Sequence, residues 1–126
     1  MRTFIFCLVL LLILTSLLIG YSVFLHSTVE NLLSEVDELD RAARTENWEA
    51  AHTALLRLTD TWEKVSPRIA VFITHELVDE ISHAVAEAKG FLYFRESSEL
   101  MSETETLRVL IDHIEKREVP SLHNIF

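Results

Sequence analysis

The sequence predicts an all-α protein: an N-terminal transmembrane helix that continues into an antiparallel bundle of about four helices. Three observations predict it. Phe4–Leu25 is a run of 22 residues without a charge. Beyond it, apolar residues recur at spacings of three and four as far as Ile114, the period of one helix face. No stretch alternates with the period of two that a half-buried strand requires.

The apolar run is interrupted only by Thr15, Ser16, Gly20 and Ser22. At ~1.5 Å per residue it matches the ~30 Å hydrocarbon core of a bilayer. A chain of 126 residues has no interior that would cover such a helix on every face. The run is therefore a membrane span or a secretory signal. Arg2 precedes it, whereas Glu30, Glu35, Asp37, Glu38 and Asp40 follow it before Arg41. Cationic flanks stay in the cytoplasm, so the expected topology has the N-terminus inside and the C-terminal domain outside. A cleaved signal peptide is the alternative, with Gly20 and Ser22 as small residues at −3 and −1. The apolar character continues to Leu25 and runs directly into a helical pattern, which favours the anchor. The expected division is residues 1–25 as membrane anchor and 26–126 as an extracytoplasmic helical domain of the cell membrane.

The elements follow in order. Val29, Leu32, Leu33, Val36, Leu39 and Ala43 lie on one helix face, and no proline or glycine after Gly20 separates them from the anchor. One helix is expected to run to about Arg44. Asn47 is a good N-cap for the next, with Glu46 and Glu49 beside the positive end of its dipole. Its stripe is Trp48, Ala51, Leu55, Leu58 and Trp62, which reads as core. Ser66-Pro67 predicts a new helix start, since proline at the first helical position sacrifices no hydrogen bond. That third helix is expected from Pro67 to about Phe94, its apolar start (Ile69–Ile73) buried on several sides. Gly90 is expected to loosen it or admit another backbone. Arg95–Ser98 reads as a turn with a serine N-cap. The last helix, about Ser98 to Arg117, buries Leu100, Leu107, Ile111 and Ile114, and Pro120 is expected to stop it. The tail Ser121–Phe126 is expected to dock on the bundle.

Composition narrows function by exclusion. Arg2 is the only charged side chain before His26, which leaves 10 Lys and Arg against 20 Asp and Glu beyond it, a net charge of −10. That balance opposes binding to nucleic acid or to anionic headgroups, both of which need a basic face. The single cysteine, Cys7, sits in the apolar run, so the domain has no disulfide. Gly20 and Gly90 are the only glycines, too few for a phosphate-cradling loop, a dinucleotide-binding turn or a nucleophile elbow. No cofactor is expected, and an enzyme is not the expected reading.

Several segments together carry a resemblance: Asn47-Trp48-Glu49-Ala50-Ala51, Trp62-Glu63-Lys64, Phe72-Ile73-Thr74-His75-Glu76, Asp79-Glu80-Ile81, Lys89-Gly90-Phe91, His113-Ile114 and the C-terminal Ser121–Phe126. The chain resembles domain of unknown function 4363, a family of short, single-span bacterial membrane proteins found mainly in spore-forming Gram-positive bacteria. The resemblance covers nearly the whole chain and implies an envelope location. It implies no activity.

One polar constellation points to chemistry. His75, Asp79 and His83 stand at successive steps of four, on one stripe of the third helix nearly opposite Ile81. Imidazoles and a carboxylate are divalent-metal ligands, and His113 on the last helix is a candidate fourth. His75-Glu76-Leu77-Val78-Asp79 is similar to the zincin pattern with Asp in place of the second His, but no distant ligand is evident. The competing reading makes these residues a solvated and hydrogen-bonded helix face. Two functions follow: a non-catalytic interaction or structural module of the envelope, held to the membrane through residues 4–25 and facing another envelope protein; or a metal-binding sensor or metal-dependent enzyme built on the histidine stripe.

Overall fold

Asn47 and Thr74 mark the starts of two of the four helices, each accepting a backbone N–H three residues on: Ala50 N at 3.2 Å and Leu77 N at 3.2 Å. In chain order the elements are α1 (Arg2–Arg44), α2 (Trp48–Ile69), α3 (His75–Tyr93) and α4 (Ser97–His123). The computed structural model describes residues 1–123, and the side chains of residues 1–116. The expected docking of the Ser121–Phe126 tail lies outside the described side chains. Among the described residues there is no strand.

α1 is unbroken for 43 residues. Its apolar half is long and apolar enough to cross a membrane, and its most apolar stretch is not buried against the rest of the chain. A signal sequence near the N-terminus would share those properties. Thr15 and Ser16 donate their hydroxyls to the carbonyls of Leu11 and Leu12, each at 2.8 Å, so these two hydroxyls are satisfied within the helix. From Leu25 onward the same helix is core: Val29, Leu32, Val36, Leu39 and Ala43 are buried.

The four helices form a ring in which α1 and α3 each pack against α2 and α4. Arg57 reaches Glu38 at 3.0 Å and Thr61 reaches Glu35 at 2.8 Å, which sets α2 antiparallel to α1. Arg108 meets Asp37 at 2.6 Å and His26 meets Glu115 at 2.7 Å, which does the same for α4. Leu58, Leu77, Ile81, Leu100, Leu107, Ile111 and Ile114 fill the centre. Trp62 is 4% exposed and donates its indole N–H to Ser82 Oγ at 2.9 Å, tying α2 to α3.

Two boundaries differ from the sequence expectation, both at proline. α2 runs through Pro67 to Ile69, and α3 starts at His75 instead of Pro67. So close to the end of α2, proline forfeits one ladder bond, while Thr74, in an extended conformation, supplies the actual cap. The apolar residues of the turn divide accordingly: Ile69 and Ile73 point inward, but Val71 and Phe72 are exposed. α4 likewise passes Pro120 and continues to His123.

The turns at the Arg44 end share one construction. Asn47 N donates to Ala42 O and Glu46 N to Ala43 O; Glu96 N donates to Phe91 O and Arg95 N to Leu92 O. These are paired Schellman closures, in which the left-handed residue is usually glycine. Here it is Glu46 (φ 53°) and Arg95 (φ 54°). Ser97 does not cap its own helix: its hydroxyl donates to Ala43 O at 2.9 Å and locks the two turns together. Gly90 is not a site of close approach, because a Cβ there would meet nothing within 4 Å.

Candidate functional site

α2 and α3 are the most sparsely packed neighbours in the ring, and a groove of about 370 Å³ opens between them towards the Arg44 end. Trp48, Leu55, Leu56 and Leu92 form its apolar walls, and His52, Lys89 and Arg95 bring imidazole and cationic groups to its edge. No acidic side chain lines it. In a domain where acids outnumber bases two to one, that is a local inversion of charge. The stripe placing Trp48 and Leu55 inward was legible in the sequence. The groove was not, because Leu56 is off the stripe and is 55% exposed, and Lys89 and Arg95 join it only through the packing of α3.

A second, wider depression of about 800 Å³ lies between α1 and α2, where Arg41, Arg44 and Arg57 share the lining with Glu38, Glu49 and small alanines. Two of its three arginines are already engaged: Arg44 with Asp40 at 2.7 Å and Arg57 with Glu38 at 3.0 Å. The α2–α3 groove is therefore the better recognition surface, since it combines apolar walls with cations.

The histidine stripe is placed as its spacing demands but does not assemble. His75, Asp79 and His83 lie on the exposed face of α3, and His113 is half-buried on α4. Eight residues of helix separate His75 and His83 by ~12 Å along the axis, whereas zinc bonds are ~2 Å long. His83 Nε2 instead meets Glu87 Oε1 at 2.7 Å. Among the described residues no three His, Cys, Asp or Glu side chains are grouped to hold a metal ion.

The polar chemistry missed in the sequence is buried between helices. Asp40 accepts from Thr104 Oγ1 at 2.8 Å and from Arg44 Nε at 2.7 Å. Burial alone would push its carboxyl up, but the bonds from Arg44 and Thr104 outweigh that and hold it below the ordinary range. Glu35 accepts from Thr61, yet its Oε2 is buried without a hydrogen-bond partner among the described residues. Burial raises its pKa, and Glu38 adds to the rise. Glu103 is also raised, by burial and then by the Glu87 carboxyl facing it from α3. A signal existed for Asp40 and Thr104: both continue the inward spacing, four residues after Val36 and Leu100.

A family model described as domain of unknown function (DUF4363) matches residues 20–125. The chain belongs to that family. No curated protein and no solved structure matches it. The DUF4363 match begins at Gly20, so it takes in the end of the apolar segment and the helical bundle of this chain.

Proposed function

We propose that this DUF4363 protein is a non-catalytic interaction module of the cell envelope, anchored by the first half of α1 with its bundle on the extracytoplasmic side. The observation that carries the reading is the continuity of α1. The exposed apolar segment and the buried stripe of the bundle are one helix with no linker between them. Tyr21 and Phe24 already pack against the bundle core, so cleavage after Ser22 would strip Tyr21 from it. Arg2 before the apolar segment and the acidic residues after it support an N-terminus in the cytoplasm. The α2–α3 groove is the surface offered to a partner, and its chemistry suits an amphipathic segment carrying apolar and acidic side chains.

A C-terminal reporter that is active only outside the cytoplasm tests the topology, combined with fractionation of the cells. Reporter activity in the membrane fraction is the expected result. Recovery of the protein in the medium with an N-terminus near Val23 would replace the anchor by a cleaved signal.

A further inference from the structure

We infer that the α2–α3 turn is a second membrane contact, in which Val71 and Phe72 enter the interfacial layer of the outer leaflet beside the point where α1 emerges. This rests on the reading of α1 as a retained span.

The turn is apolar from Ile69 to Ile73, and only half of it serves the core. Ile69 and Ile73 are buried, whereas Val71 is 79% and Phe72 56% exposed. Exposure alone does not decide what covers them, since Tyr93 and Phe94 at the far end of the bundle are also exposed. The partner that covers Val71 and Phe72 is indicated by position. The Phe72 ring lies against the Tyr21 ring, with centroids 4.2 Å apart and planes tilted by 43°. Tyr21 belongs to the apolar half of α1, close to its end at Leu25. A ~30 Å core entered near Phe4 ends ~20 residues later, which puts Tyr21 at the outer water boundary, where tyrosine rings concentrate. Phe72 stands at the same level because the two rings touch.

The charges around the turn agree with this depth. Arg68, exposed and one helical turn before Phe72, lies on the bundle side, where a long cationic side chain reaches phosphate level. Lys64, a further turn away, is paired with Asp60 at 2.9 Å. Glu76 is the nearest acid on α3, and that helix leads back into the bundle. Val71, Phe72 and Ile73 carry no charge. With a domain of net charge −10, attraction to anionic lipid cannot drive the contact. Burial of the two side chains drives it, so uncharged phosphatidylcholine is sufficient. Two contacts on different helices would fix the bundle's rotation about the membrane normal, which a lone span leaves open.

Full-length protein carrying Cys7→Ser, reconstituted in phosphatidylcholine vesicles, allows single environment-sensitive labels at Val71→Cys, Tyr93→Cys or Ile13→Cys. Spin-labelled lipids then quench each label, with the spin either near the ester groups or deep in the acyl chains. The label at position 71 should be quenched by the shallow spin at least about twofold more than the label at 93, which lies at the other end of the bundle. The label at 13 should be quenched most by the deep spin. If position 13 is quenched but position 71 behaves like position 93, the second contact is refuted and the span stands. If position 13 escapes the deep spin, the span itself is refuted, and this inference with it.

Discussion

Along α1, Phe4, Leu8, Leu11, Leu12 and Leu18 are all exposed, whereas Leu25, Val29, Leu32, Val36 and Leu39 on the same unbroken helix are almost fully covered. The first half is apolar on every face and has no charged side chain after Arg2. The second half confines its apolar residues to a stripe and flanks them with acids that pair with α2 and α4. Both halves are good helix, so propensity does not distinguish them. What differs is the solvent each face demands: a uniform apolar surface asks for lipid, and a one-sided surface asks for neighbouring helices.

The largest effect that would break this comparison comes from truncating matched leucines. Leu32→Ala, at a site with no exposure, should cost the bundle ~2–5 kcal/mol, and Trp62→Ala ~3–5 kcal/mol, by lost burial and the cavity left behind. Leu12→Ala should leave bundle stability unchanged. Denaturant unfolding of the full-length protein, followed by tryptophan fluorescence, makes the measurement cleanly because both tryptophans are in α2. Equal effects of Leu12→Ala and Leu32→Ala would mean that the apolar half folds as part of the core.

A smaller effect follows from charge, which only the bundle half contains in buried form. Glu35 and Glu103 have raised pKa values in the folded state. Their cost is therefore absent below the ordinary value of ~4.3 and complete above the raised one, so acidification from neutrality should first stabilise the bundle. Asp40 is lowered, so its contribution is present above its ordinary value of ~3.9 and is lost as pH falls through its folded value. A thermal-melting series should pass through a maximum on the acid side of neutrality. Glu103→Gln should raise the melting temperature at pH 7 and flatten the rise on acidification. An unchanged profile in that variant would remove Glu103 from the account.

The smallest effects concern glycine placement at the ends of the bundle helices. Glu46 occupies a left-handed position at the end of α1, and Gly90 occupies an ordinary helical one in α3 with open space around it. Glu46→Gly and Gly90→Ala should each stabilise by ~0.5–1 kcal/mol, the first by relieving backbone strain and the second by reducing the freedom of the unfolded chain. Chemical melts of the two single variants and their combination would show whether the gains add, as separated sites should.

Periodicity was enough to place α1, the stripe of α2 and the burial of Trp62, because those depend on side chains a turn or two apart. It failed at Pro67 and Pro120, where a local rule about proline met helix ends that tolerate one lost bond. Ser97 was legible as a polar residue at a turn, but its partner, Ala43, is 54 residues away. The histidine stripe was legible as a face, and spacing along one helix separates its end members as surely as it aligns them. The groove by Lys89 and Arg95 depends on how far α3 stands from α2, which no local pattern encodes.

The absence of a hinge between the halves of α1 has a mechanical corollary. Leu25 to Arg44 forms a lever ~28 Å long that shares the orientation of the segment below it. With that segment retained as a span, as proposed above, a thinner bilayer that tilts it by ~20° would swing the far end of the bundle sideways by ~10 Å. The groove between Trp48 and Tyr93 sits at that end, so local membrane thickness would set where its mouth is aimed.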